Sequence, residues 1–297
     1  MLVKVHSTGV NSWDWELLRS KPSMVYLGKR SDPRYKIFGA DIAGRVESVG
    51  KDVKRFQPGD EVLGDLSTSG WGGFAEYVRA REDALTLKPA SITFAEAAAT
   101  PQAGLLALQG LSKKGKIQPG HKVLINGAGG GVGTFAVQIA KSYGAEVTGV
   151  DSGSKFEMLR SIGADHVIDY KQEDFTKNGQ RYDMILDVKG YRPLRHYIRA
   201  LRPGGRLLFV GGTWAIIFKV MFLGPLISMI VRRKLMNVYL KANRDLIVLL
   251  DMIEAGKVRP VIDKRYPLTE VADAIKYIGD GHVQGKIVIT IEHDEET

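Results

Sequence analysis

The 297-residue chain contains no cysteine. Disulfides, a thiol nucleophile, Cys-ligated zinc and iron–sulfur clusters are excluded together. Long apolar runs are missing as well. The most apolar stretch, Trp214 to Val231, is interrupted by Lys219, and its uncharged core from Val220 to Val231 is too short to span a bilayer as a helix. Two readings of it stay open: a buried helix or cap over a substrate pocket, and a surface-lying segment anchored by Arg232, Arg233 and Lys234, which would give membrane-surface contact through 214–234. Met1 to Gly9 reads as a strand and lacks the basic and apolar blocks of a signal peptide, so a cytoplasmic location is the expectation.

Several catalytic signatures are equally absent. None of the eleven tyrosines has a lysine four residues on, which removes the Tyr-x-x-x-Lys proton donor of one dehydrogenase class. The six histidines are scattered with no H-x₃-H pair, so a His-rich zinc site is not expected. No G-x-S-x-G elbow and no P-loop lysine occur.

What is present is ordinary in bulk and specific in detail. Hydrophobic residues at 44% and charged residues at 25% describe a soluble globular chain long enough for two domains. A net charge of +9 suits anionic ligands, and without regular basic–aromatic interleaving nucleic acid is not expected. The first ninety-odd residues are rich in short strands and turns such as Pro58-Gly59-Asp60. From about Phe94 the texture changes, with a helix predicted over Phe94 to Leu111. Strand-like and helical stretches then alternate: Lys122–Ile125, Thr134–Tyr143, Glu146–Val150, Lys155–Ile162, His166–Ile168, Met184–Leu186, Leu194–Leu201 and Arg206–Val210. Such alternation predicts βαβ units and a parallel sheet. The expected fold class is α/β: a β-rich domain split in sequence (1–95 and 243–297) around a doubly wound parallel sheet (96–242).

The strongest local signal is Ile125-Asn126-Gly127-Ala128-Gly129-Gly130-Gly131-Val132-Gly133, between a buried strand and a helix. It is an Ala-led variant of G-x-G-x-x-G. Side-chain-free residues let a pyrophosphate approach the backbone, and the amides of a helix N-terminus face the anion. Gly130, Gly131, Val132 and Gly133 are therefore candidate cofactor residues. Asp151 ends the next strand at the spacing of an acid that binds a ribose 2′-hydroxyl, which argues for NAD(H). Ser152, Ser154 and Lys155 follow at once and suit a 2′-phosphate, with Tyr170 as a further contact. The balance tips slightly to NADP(H), with NAD(H) open.

The whole chain resembles the medium-chain dehydrogenase/reductase superfamily, in particular its zinc-independent quinone oxidoreductase (zeta-crystallin-like) branch. The residues that carry the resemblance are Gly9-Val10-Asn11-Ser12-Trp13-Asp14, Gly39-Ala40-Asp41-Ile42-Ala43-Gly44, Phe56-Gln57-Pro58-Gly59-Asp60-Glu61-Val62 and Gly73-Phe74-Ala75-Glu76-Tyr77. Further blocks are Ala103-Gly104-Leu105-Leu106-Ala107-Leu108, the Gly-rich turn, Leu201-Arg202-Pro203-Gly204-Gly205 and Gly285-Lys286-Ile287-Val288-Ile289. The resemblance implies a GroES-like catalytic domain, a Rossmann cofactor domain and a homodimer. It implies further cofactor contacts at Val188, Gly211 and Lys286, the last either reaching the pyrophosphate or lying on the surface. The zinc-binding Cys and His of related enzymes correspond to Asn11 and Ala40, so no metal is expected. Relatives start some thirty residues earlier, with a pair of strands expected to be missing here, and many carry a Thr where this chain has Leu106.

Direct hydride transfer to a quinone or enone is the simplest chemistry such a set supports, since the developing charge is delocalised. Asn11 is the expected polar group beside the nicotinamide or substrate carbonyl, against the alternative of a turn Asn. Trp13 and Trp15 are candidate pocket walls, and Asp14 and Asp41 are expected to make structural hydrogen bonds. Two other functions stay open: a zinc-independent alcohol dehydrogenase of the same fold, and a non-catalytic NADPH-binding protein.

Overall fold

The computed structural model describes residues 1–19, 37–212 and 214–293. The chain forms two compact units: Met1–Leu105 with Lys241–Glu254 and Pro260–Thr297, and Leu106–Leu240 with Ala255–Arg259.

The first unit opens with β1 (Leu2–Val10), α1 (Ser12–Arg19), β2 (Asp41–Ser48), β3 (Glu61–Asp65), β4 (Tyr77–Arg79) and β5 (Thr86–Leu87). The predicted continuous helix over 94–111 is instead two short ones, α2 (Phe94–Ala99) and α3 (Pro101–Leu108), followed by a π-turn over Gln109–Lys114. Thr93 and Glu96 form a reciprocal capping box that starts α2. Pro101, lacking an N–H, opens the next helix rather than continuing this one. Because α2 packs on β1 and β2, the first unit runs on to Leu105, past the change in texture near residue 95.

The second unit holds β6 (Lys122–Asn126), α4 (Gly131–Ser142), β7 (Glu146–Asp151), α5 (Phe156–Ser161), β8 (His166–Asp169), β9 (Tyr182–Asp187), α6 (Leu194–Ala200), β10 (Leu201–Phe209), α7 (Trp214–Val231) and β11 (Lys234–Asn237). Its six strands are all parallel in the order β11-β10-β9-β6-β7-β8. β6 is the strand at which the winding reverses, so the crevice outside the carboxyl ends of β6 and β9 is the topological switch point, the usual ligand position in such sheets. Gly144, at φ +76°, ends α4 where the sequence places the stop. The core includes Leu124, Val150, Ile185, Tyr197, Leu207 and Phe209.

α7 is not the buried helix of one reading. Ile216, Val220 and Gly224 are buried, whereas Phe222, Met229 and Ile230 are each more than 70% exposed. Among the described residues no helix is long and apolar enough to cross a membrane.

The chain then returns to the first unit through α8 (Leu246–Glu254), β12 (Ile262–Pro267), α9 (Val271–Gly279) and β13 (Lys286–Thr290). Asn243 fastens the return: its Oδ1 accepts from the Asp65 amide and its Nδ2 donates to the Asp65 carbonyl, each at 2.8 Å. The seven-stranded sheet runs β12-β13-β1-β2-β3-β5, with β4 also on β1. β1 thus lies in the middle, and Val3, Val5, Ile42, Val62, Ile287 and Ile289 form the core around it. A unit with a mixed sheet and a unit with a wholly parallel one are the α/β combination expected from the sequence.

Candidate functional site

Residues able to bind or react gather in two places, one in each unit. In the second unit, β6 ends in the glycine-rich turn and α4 begins at its far side. Gly130 caps α4 in an extended conformation with no side-chain partner. Among the described residues no acceptor takes the amides of Gly131, Val132 or Gly133. Three free N–H groups at the positive end of a twelve-residue helix form an anion cradle. Each glycine has its own reason. A Cβ on Gly133 would lie 2.2 Å from the Gly127 carbonyl oxygen, so the helix can sit this close to the turn only without a side chain. A Cβ on Gly130 would meet only that same oxygen, at 3.7 Å, and would otherwise fill the open cradle. The turn therefore fits a dinucleotide pyrophosphate.

Asp151 ends β7 and is buried. Its Oδ2 accepts from the Gly129 amide at 2.8 Å and its Oδ1 from the Ser152 amide at 2.9 Å, while Lys155 Nζ stands 3.3 Å from Oδ1. The two residues on which cofactor choice was expected to turn are thus bound to each other. Ser152 and Ser154 hydroxyls lie 3.1 Å apart at the surface, and Tyr170, half-exposed, reaches this corner through its amide on the Asp151 carbonyl.

The switch point carries a second pair. Asn126 Nδ2, at the end of β6, donates to Asp187 Oδ1, at the end of β9, at 3.0 Å. The same oxygen takes the amides of Lys189 and Gly190, and Oδ2 is buried without a partner. Val188 donates its amide to the Asn126 carbonyl, and Gly211 approaches the Val188 carbonyl so closely that a Cβ would sit 3.0 Å from it. Gly190 and Gly212, both at positive φ, touch backbone to backbone, which holds the loops after β9 and β10 together.

In the first unit a buried polar centre surrounds Asn11, at the end of β1. Lys286, the first residue of β13, is buried and donates from Nζ to the Val10 carbonyl and to Asn11 Oδ1. Asn11 Nδ2 donates to Asp41 Oδ2 at 2.9 Å, and Asp41 stands 3.9 Å from Lys286. Asp41 also accepts from the Gln102 amide, and Asp14 accepts from the amides of Asn11 and Gly39. Burial pushes the Asp14 carboxyl up to about 6 against the pull of these bonds and of Lys286. Burial also drives Asp41 upward, helped by nearby Asp65, and drives Lys286 downward although three carboxylates oppose it. Lys286 is therefore no surface lysine.

Trp13 is largely exposed, and Trp15 packs against the first unit's core and α9. Asp65, Gln102, Asn126, Asp187 and Asn243 were not picked out from the sequence. Only burial and partnership, which a linear pattern does not display, distinguish them from surface residues. Asn126 and Asp187 do leave a trace, since each closes an apolar strand.

A sheet wound in this order, with an uncapped glycine-opened helix at its switch point, is a dinucleotide-binding unit. Residues 1–90 match the family model described as alcohol dehydrogenase GroES-like domain, and residues 162–289 match that described as zinc-binding dehydrogenase. Across 97% of this chain and 88% of the relative, the sequence is 32% identical to a chloroplast envelope quinone oxidoreductase homolog of Arabidopsis thaliana. It is 31% identical, over 98% of this chain and 81% of the relative, to the mitochondrial NAD(P)H oxidoreductase RTN4IP1 of Mus musculus. The solved quinone oxidoreductase from Coxiella burnetii superposes with a TM-score of 0.88 at 28% identity, covering 98% of this chain and 90% of that one. The chain belongs to the medium-chain dehydrogenase/reductase superfamily, in its zeta-crystallin-like quinone oxidoreductase branch. The zinc in one family model's description finds no fitting donor set: the sequence has no cysteine, and among the described residues no three His, Asp or Glu converge.

Proposed function

We propose that this protein is an NAD(P)H-dependent reductase of quinones or α,β-unsaturated carbonyl compounds, working by direct hydride transfer without zinc and preferring NADP(H). Relatives named quinone oxidoreductase, 2-methylene-furan-3-one reductase and NADPH-dependent alkenal/one oxidoreductase support the reaction class. One observation carries the mechanism: the polar centre of the first unit presents an amide, Asn11, held from both ends.

When bound, the reduced nicotinamide supplies the hydride. Gly131, Val132 and Gly133 would hold its pyrophosphate through their amides. Asn11 has its Oδ1 on Lys286 and one Nδ2 hydrogen on Asp41, which leaves its second Nδ2 hydrogen for the acceptor's oxygen. The ammonium on Oδ1 polarises the amide and strengthens that donor. Negative charge developing on the oxygen of an electron-poor acceptor would be met by Asn11, with water supplying the proton. The role expected of Lys286 at the pyrophosphate gives way in this reading to positioning Asn11.

Preference for NADP(H) rests on Asp151. Its oxygens are already committed to Gly129, Ser152 and Lys155, so it offers little to a ribose hydroxyl, while Ser152, Ser154 and Tyr170 suit a 2′-phosphate, with Lys155 held beside them on Asp151. The test is oxidation of NADPH and NADH by the purified, metal-analysed protein with a small quinone and with an enone. Turnover of NADPH by zinc-free protein is the expected result. Cofactor binding without turnover on either acceptor would overturn the enzyme reading, and turnover only with stoichiometric zinc would overturn the mechanism.

A further inference from the structure

We infer that the outer face of α7 is a docking surface for an anionic lipid bilayer. Phe218, Phe222, Leu226 and Ile230 follow one another at i, i+4, i+8 and i+12, and Met229 joins them on the same side. All five are exposed, Phe222, Met229 and Ile230 to 71%, 73% and 71%, and the rings of Phe218 and Phe222 stack 6.2 Å apart. The opposite side of the helix, through Ile216 and Val220, is packed into the second unit's core. A helix apolar on both sides, with these five side chains exposed on one of them, suits a second apolar medium.

Charge selects that medium. Between Val188 and Leu240 the sequence has ten Lys and Arg residues and no Asp or Glu. Arg192 and Arg202 are paired, with Asp174 and Asp183. Lys219 on α7, and Arg232 and Lys234 just beyond its end, are exposed, and none of the three pairs with a carboxylate among the described residues. Arg206 joins the cluster, since it is the register partner of Lys234 on neighbouring strands. A cation within the first two turns of an exposed apolar helix and others just beyond its end match a bilayer with phosphate-bearing headgroups above its acyl chains. The helix would lie in the interface plane, not cross it.

Co-sedimentation with phosphatidylcholine vesicles, with and without one third phosphatidylglycerol, tests the inference. The full chain is expected to pellet with the anionic vesicles and to be released by raised salt. Arg232→Gln and Lys234→Gln should each lower partitioning about fivefold. Phe222→Gln and Ile230→Gln should each lower it at least tenfold. These four side chains are outside the proposed cofactor and substrate groups, so reductase activity toward a soluble quinone should persist and report an intact fold. Absence of pelleting with anionic vesicles overturns the inference, as does equal pelleting of the Phe222→Gln protein. Concentration-dependent self-association by light scattering, abolished by Phe222→Gln, also overturns it and assigns the face to a second copy.

Discussion

Lys155 and Asp151, one turn apart at the end of β7, are both buried and bind each other with Nζ 3.3 Å from Oδ1. The carboxylate that would read a ribose hydroxyl and the ammonium that would read a phosphate are one ion pair. Removing either charge therefore alters what the other offers a cofactor.

Asp151→Asn keeps an acceptor for the Gly129 amide while deleting the charge. Lys155 is then no longer held by that carboxylate. The ratio of NADPH to NADH affinity should rise about tenfold, or ~1.4 kcal/mol, in a fluorescence titration of the two reduced cofactors. Lys155→Met should lower NADPH affinity by a similar factor and leave NADH nearly unchanged. Equal losses for both cofactors would remove this corner from the choice.

The glycine-rich turn allows a contrast between two substitutions of one kind. In Gly130→Ala the new methyl enters open space and φ is −91°, so the protein should fold with its melting temperature little changed. The methyl would occupy the anion cradle, and cofactor affinity should fall at least tenfold. In Gly133→Ala the methyl meets two backbone oxygens at 2.2 and 2.5 Å, so the helix must move and stability should fall as well. Calorimetry beside cofactor titration separates the two effects.

Much of this turn was legible in the sequence because its chemistry is local. Glycines between an apolar strand and a helical stretch dictate both a close approach and free amides, and Gly144 and Gly163 stop the helices that follow. The polar centre of the first unit was only half legible. Asn11 and Lys286 are 275 positions apart, and only the antiparallel pairing of β1 with β13 brings them together. Periodicity could not reveal that Lys286 is buried, since a lysine heading an apolar strand reads equally as a surface end. The break between α2 and α3 was missed for a different reason: an Ala- and Leu-rich run masks a proline that can open a helix as readily as end one.

Lys286 acts in our reading through Asn11, and the two should behave as one unit. Asn11→Ala should lower kcat with a quinone roughly 100-fold with a smaller change in KM, the expected cost of losing a donor to developing negative charge. Lys286→Met should lower kcat comparably, and should also destabilise the fold, because the Val10 carbonyl and Asn11 Oδ1 lose a buried donor. The double variant should be little slower than either single one. Additive losses in kcat would separate Lys286 from Asn11, and an unchanged kcat in Asn11→Ala would remove Asn11 from the reaction.

Asp14 gives the first unit a stability that depends on pH with a definite sign. Burial holds its carboxyl near 6 in the folded chain against 3.8 for the ordinary group. Between these values the folded protein keeps a proton that the unfolded chain releases. The contribution is complete below about pH 4 and is lost as pH rises through 6, a swing of about 3 kcal/mol. Asp41, raised for the same reason, acts in the same direction. Asp165, held down by Lys141, and Asp174, held down by hydrogen bonds from Thr176 and then by Arg192, oppose it at lower pH, and His6, pushed down by burial and by His293, opposes it nearer neutrality. Chemical denaturation from pH 5 to pH 7.5 should therefore show, in the native sequence, a component of stability that falls with pH. In Asp14→Asn the fall should be shallower, because a neutral amide in the same place can still accept from the Asn11 amide and has no proton to lose. Parallel curves for the two proteins would mean that Asp14 stays ionised throughout, its charge held by Lys286 and the Asn11 and Gly39 amides despite burial.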